Sequence, residues 1–177
     1  MSISRFLPGL TPRAVEKSIL KMIQFDCAHD IADDVFMIRM VLDTDVMVSA
    51  VASPAGASPA LLIKIFHREI EVAVSSILFI EYQTVLLRPE RLAAANADMS
   101  DVAKILDGLA GIAIPVAFDF RWRPSGADPD DELISETAVN GQAHNIATFN
   151  LRPLRSAAAR FGIVADRPGP LLRSLNS

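Results

Sequence analysis

Three carboxylates, Asp43, Glu81 and Asp131, lie far apart in the chain but share a local setting: each closes an apolar run or stands near the start of a helical pattern. In an open α/β sheet such positions fall at the carboxyl edges of strands, where ligands bind. Carboxylates gathered at one edge repel each other unless a cation lies between them. The pattern therefore reads as a site for a hard divalent ion, Mg2+ or Mn2+, held by oxygen ligands.

Each residue has an ordinary structural reading beside that one. Asp43, in Val41-Leu42-Asp43-Thr44-Asp45-Val46, could be a helix N-cap. Asp45 adds a second carboxylate two residues on, and Thr44 could orient either acid by hydrogen bonding. Glu81 falls one turn into a helix, where a glutamate often serves the helix dipole. Its neighbours Leu78, Phe79 and Ile80 are apolar, which suggests a partly buried face. Asp128-Pro129-Asp130-Asp131-Glu132 could be a solvated acidic cap. Asp131 is its best candidate ligand, because it opens the helix face that must pack on a sheet. Asn150, after Ile146-Ala147-Thr148-Phe149, could close a turn, or its amide could hold a metal-bound water. Arg152, Arg155, Arg160, Arg167 and Arg173 follow, and Arg121-Trp122-Arg123 surrounds the only tryptophan. Arginine pairs with phosphate and tryptophan stacks on bases, although a solvated surface accounts for most of these residues singly.

The elements that must position these groups can be read from the pattern. Residues 36–42 form a buried strand, and Val46 to Val51 a short helix or turn. Ser58-Pro59 caps a helix running to His67. Glu71–Ser75 is a second strand, and Ser76 caps a helix through Leu87 that Arg88-Pro89 breaks. Asp98 or Ser100 opens a helix over Met99–Ala110, and Ile112–Val116 is a third strand. After a polar loop, Asp130 begins a helix with Leu133, Ile134, Thr137 and Ala138 on one face. Asn145–Thr148 is a fourth strand, 153–160 a helix, and Gly162–Ala165 a fifth strand. Strand alternating with helix predicts right-handed crossovers and a parallel sheet covered on both faces.

Residues 1–36 differ in pattern. Thr11-Pro12 starts a helix with Val15, Ile19, Met22 and Ile23 on one face, and a polar tether follows. Met37 and Met40 precede the first strand closely, so translation could start at either, and residues 1–36 read as an extension of a domain at 37–177. A chain of 177 residues fits one domain plus such an appendage. The net charge of −4 argues against a basic coat for duplex DNA but permits a local basic groove. The single cysteine, Cys27, cannot form an internal disulfide, and a reducing cytoplasm is the expected compartment. No apolar run reaches the roughly 18 residues of a membrane span.

Asp43-Thr44-Asp45-Val46, Ser76 through Glu81, Asp131-Glu132-Leu133-Ile134-Ser135-Glu136-Thr137-Ala138 and Thr148-Phe149-Asn150, in that order, resemble the motifs of the PIN-domain family over about residues 37–177. Pro129-Asp130-Asp131 and Ala147-Thr148-Phe149-Asn150-Leu151-Arg152 look most like the toxins of toxin–antitoxin systems, relatives of the VapC type. The resemblance implies a three-layer α/β/α fold with a five-stranded parallel sheet of order 3-2-1-4-5. It implies a metal-dependent endoribonuclease acting on single-stranded RNA, often a homodimer, inhibited by an antitoxin protein. Asp43, Glu81 and Asp131 would hold Mg2+ or Mn2+, and Asp130 or Asn150 would orient the attacking water. The expected products are a 5′-phosphate and a 3′-hydroxyl.

Two departures stand out. Asp45 occupies a position where the family often has Asn, and Asn150 one where many members carry a fourth acid. A PIN-like domain that only binds RNA or protein is therefore an alternative. A haloacid-dehalogenase-type phosphatase, suggested by Asp43-Thr44-Asp45, fits less well. Met47 stands where that family wants Thr or Val, and no lysine follows Lys104.

Overall fold

The computed structural model describes residues 37–118 and 129–175; within the latter span, the side chains of 129–131 lie outside the description. Chain order is β1 (Arg39–Leu42), α1 (Thr44–Ala52), α2 (Ala57–Phe66), β2 (Glu71–Ser75), α3 (Ser76–Leu86), α4 (Pro89–Ala95), α5 (Met99–Ile112), β3 (Ile114–Val116), α6 (Pro129–Asn140), β4 (Asn145–Ala147), α7 (Leu151–Ala159), β5 (Val164–Asp166) and α8 (Pro168–Ser174). The five strands form one parallel sheet in the order β3-β2-β1-β4-β5, as expected.

The central strand explains itself chemically. Met40, Val41 and Leu42 are fully buried, so β1 is covered on both faces, as a continuous apolar run in a parallel sheet requires. Each such side chain contributes about 1.5–3 kcal/mol when removed from water. α1 packs on α2, α3 and α4, and α8 on α2, while α6 and α7 pack on each other. Right-handed crossovers place the first group on one face of the sheet and α6–α7 on the other. α5 shows the helical period plainly, burying Val102, Ile105, Leu106 and Leu109. α6 buries Ile134, Thr137 and Ala138, the face read from the sequence.

Where α6 ends, it comes close to the sheet. A Cβ at Gly141 would lie 2.8 Å from the Thr137 carbonyl oxygen, 2.9 Å from Val116 Cγ2 and 3.0 Å from Ala73 Cβ. Only glycine fits there without a shift.

Several elements differ from the sequence expectation. Arg88-Pro89 does break α3, which ends at Leu86, but a new helix follows at once: Arg88 becomes the N-cap of α4 and Pro89 its first residue, the helical position where proline's missing N–H costs nothing. Pro168 opens α8 in the same way. α3 is capped by Ser75 rather than Ser76, its side chain accepting from the Leu78 amide at 3.2 Å. α2 begins at Ala57 behind Gly56, so Ser58-Pro59 lie in its first turn. α5 runs on to Ile112, which shortens β3, and α7 begins at Leu151. Asp98 rather than Ser100 caps α5, accepting from the Asp101 amide at 2.9 Å. The expected helix after Thr11, the tether and the Arg121-Trp122-Arg123 loop lie outside the described residues. Among the described residues no single helix is long and apolar enough to cross a membrane.

Candidate active site at the carboxyl edge of the sheet

Successive crossovers leave β1 toward β2 on one side and reach β4 on the other. The carboxyl ends of β1 and β4 therefore flank the point where strand order reverses, the crevice that open α/β sheets use for ligands. Asp43 follows β1 directly, and Thr148 follows β4 directly. The Asp43 amide donates to the Ala147 carbonyl at 2.9 Å, and the Thr148 hydroxyl donates to Asp43 Oδ2 at 2.5 Å. That side-chain bond spans the reversal point.

Asp43 occupies the N-cap position of α1 but makes no side-chain capping hydrogen bond. The capping reading is thus not how its carboxylate is used. Burial raises its pKa above the ordinary aspartate value, and the Asp45 charge raises it further. The Thr148 hydrogen bond and the nearby Thr44 and Asp45 amides act in the opposite direction without cancelling the rise.

Thr148 is fully buried and its hydrogen bonding is fixed from both sides. It accepts from the Asn150 amide at 2.9 Å while donating to Asp43. Glu81 approaches from α3, where Leu78, Tyr82 and Leu86 are buried and Glu81 is half-buried beside them. The Thr44 hydroxyl donates to Glu81 Oε1 at 2.5 Å. Thr44 therefore orients Glu81 rather than Asp43 or Asp45. Asp45 itself is exposed. Asn150 is exposed at the N-cap of α7, offering its backbone amide to Thr148.

α6 begins at Pro129, which puts Asp130 and Asp131 in its first turn. The side chains of both, and Asp128 as a whole, lie outside the described residues. Among the described residues no three Asp, Glu, His or Cys side chains gather as a metal site. The two described carboxylates nevertheless suit a hard divalent cation in kind. Both offer oxygen donors, and each is fixed by a threonine hydroxyl. Asp43 also carries an unfavourable charge that a cation would relieve.

Two contacts that sequence reasoning passed over hold this arrangement. The Tyr82 hydroxyl, fully buried, donates to the Leu42 carbonyl and so pins α3 to the end of β1. Burial pushes its pKa far above that of an ordinary tyrosine, and the Asp43 and Glu81 charges add to the rise, so it stays a neutral donor. Ser75 and Thr137 share a buried 3.0 Å hydrogen bond, joining the cap of α3 to α6. A tyrosine beside a candidate acid was a visible signal; the Ser75–Thr137 pairing, across 62 residues, was not.

A family model for the PIN domain matches residues 39–152, a span that runs from β1 past Asn150. The chain belongs to the PIN domain family. The matched span of this PIN domain holds every carboxylate considered above, whereas β5 and α8 lie beyond it. Among solved structures, the PIN domain is similar to VapBC2 from Rickettsia felis bound to a DNA fragment from their promoter. That match has a TM-score of 0.48 and 15% identity, and covers 73% of this chain and 98% of the other. It is also similar to FitAcB from Neisseria gonorrhoeae, with a TM-score of 0.46, 19% identity and the same coverage. No curated protein matches the chain significantly.

Proposed function

We propose that this PIN domain is a Mg2+- or Mn2+-dependent endoribonuclease that cleaves single-stranded RNA, and that it is the toxin of a toxin–antitoxin pair. The observation that carries the nuclease reading is the pair of threonine-fixed carboxylates, Asp43 and Glu81, beside the reversal point of the sheet. Asp43, Glu81 and Asp131 would hold the ion. Bound there, the ion supplies an activated water and neutralises charge developing on the phosphate oxygens. Thr148 holds Asp43 through Oδ2 and so fixes the orientation of the carboxylate. Thr44 does the corresponding work for Glu81. Asn150, whose backbone amide bonds Thr148, would orient a water, with Asp130 as the alternative for that role.

The toxin assignment rests on the resemblance of Pro129-Asp130-Asp131 and Ala147 through Arg152 to toxin sequences. It brings with it an antitoxin partner, a homodimer and a cytoplasmic setting. Residues 1–36 are proposed as an extension separate from the nuclease unit.

The test is cleavage of a single-stranded RNA by purified protein with millimolar Mg2+ or Mn2+, with and without EDTA, alongside Asp43→Ala and Asp131→Ala. Metal-dependent cleavage, lost in both variants, is expected, with a 5′-phosphate on the product. Cleavage by Asp43→Ala at the wild-type rate would refute the mechanism. RNA binding without any cleavage would favour the binding-only reading.

A further inference from the structure

We infer that a cleft lined by Phe149, the neighbour of Thr148, is a subsite for one nucleotide of single-stranded RNA flanking the scissile phosphate, with Phe149 stacking on its base and Arg167 pairing with its phosphate. The cleft encloses about 290 Å3, and its walls include Ser49, Ser53, Gly56, Phe149, Arg167 and Pro168. That volume falls just below the usual range for small-molecule sites, about 300–1,000 Å3, as suits part of a single nucleotide rather than a larger ligand.

Its place in the fold ties it to the candidate catalytic centre. Phe149 lies between Thr148, which holds Asp43, and Asn150. Arg167 follows Asp166, whose carbonyl accepts the Thr148 amide at 3.1 Å. The same two strand ends that fix Asp43 therefore carry both residues into the cleft.

The chemistry of the walls selects the occupant. Phe149 is 43% exposed, although Thr148 before it is fully buried, and an aromatic ring left open to water is a platform for a base. The Asp166 carboxylate is committed to the Arg155 guanidinium and the Arg167 amide, at 3.2 and 2.8 Å. Among the described residues the Arg167 guanidinium itself meets no carboxylate, which leaves it to an anion from outside. Gly56, with φ +137°, caps α2 without a side-chain oxygen, so the positive end of that helix adds to the field. Ser49 supplies a hydroxyl suited to ribose or phosphate oxygens, while the Ser53 hydroxyl donates to the Ala55 carbonyl at 2.7 Å and can only accept from a ribose hydroxyl. An apolar protein segment would satisfy the ring but not the arginine.

This subsite rests on the ribonuclease reading, so the test separates the two. Binding of a short fluorescent oligoribonucleotide is measured by anisotropy in an Asp43→Asn background, where cleavage does not intrude, over a range of KCl concentrations. Phe149→Ala is expected to raise Kd about 10-fold, with Phe149→Trp restoring it. Arg167→Gln is expected to weaken binding several-fold and to reduce the salt slope by about one. Melting temperatures within a degree or so of the parent show that each variant is folded. Unchanged affinity in both Phe149→Ala and Arg167→Gln overturns the subsite and leaves the cleft to a protein partner, even if the wild-type enzyme cleaves RNA. Conversely, wild type that fails to cleave RNA while its binding still depends on Phe149 and Arg167 supports the subsite and overturns the nuclease reading.

Discussion

At the scale of single residues, the site is built from acids that threonines hold in place. Asp43 is costly on its own: its raised pKa means that the folded protein holds the Asp43 proton more tightly than the unfolded chain does. Stability from this group is therefore fully present below the ordinary aspartate pKa, about 3.9, and falls as pH rises through the higher folded value. Asp43→Asn removes that penalty and can still accept from Thr148. In metal-free buffer it should be more stable than wild type at pH 7, with the gap closing toward pH 4. Urea midpoints measured across that range check this, and a gap that does not change with pH would rule it out. Thr148→Val keeps the shape but strips Asp43 of its donor and the Asn150 amide of its acceptor. Buried groups orphaned in this way cost about 1–3 kcal/mol, and RNA cleavage should fall by well over tenfold. Denaturant unfolding and a cleavage assay, run on the same preparation, would expose a silent substitution.

At the scale of elements, α3 and α6, which carry Glu81 and Asp131, are tied to the strands by buried hydroxyls. Ser75 both caps α3 and bonds Thr137 on α6, so one side chain sets two helices. Ser75→Ala should cost about 1–2 kcal/mol, from the lost cap and the unpaired Thr137 hydroxyl. It should also reduce cleavage, because Glu81 and Asp131 ride on the two helices it joins. A loss of stability with activity unaffected, measured well below the melting temperature, would mean that neither helix positions a catalytic group. Tyr82→Phe isolates the link between α3 and β1. It should cost about 1 kcal/mol and lower kcat more than it raises KM. Equal kcat in Tyr82→Phe and wild type would assign Tyr82 to packing alone.

At the scale of the whole molecule, the proposed metal site requires that acids dispersed in the unfolded chain converge in the native one. A divalent ion that binds the native site alone stabilises by mass action, about 2.7 kcal/mol when the ion is at 100 times its Kd. For a protein of this size that amounts to roughly 5–10 °C in melting temperature. Melting with EDTA and with millimolar Mn2+ at neutral pH reads it directly. Asp43→Asn should shrink the shift, and identical melting curves for wild type in the two buffers would count against a metal-binding carboxylate cluster. Sedimentation of the full chain, alone and with a co-expressed antitoxin, tests the proposed homodimer and partner.

The sequence by itself determined the sheet and which acids fall beside strand ends and helix starts. Short continuous apolar runs such as Met40-Val41-Leu42, alternating with helical patterns, read as strands of a parallel sheet buried on both faces, so the acids after β1 and at the head of α6 were legible. Local patterning did not reveal α4 or α8, because a proline that ends one helix also suits the first position of the next. Nor could it assign hydroxyl partners. The sequence offered Thr44 to Asp43 or Asp45, but packing of α1 against α3 gave its hydroxyl to Glu81 instead. The Thr148–Asp43 and Ser75–Thr137 bonds join residues 105 and 62 positions apart. Only the tertiary structure decides such pairs, because a hydrogen bond depends on a few tenths of an ångström that burial, and not residue type, sets.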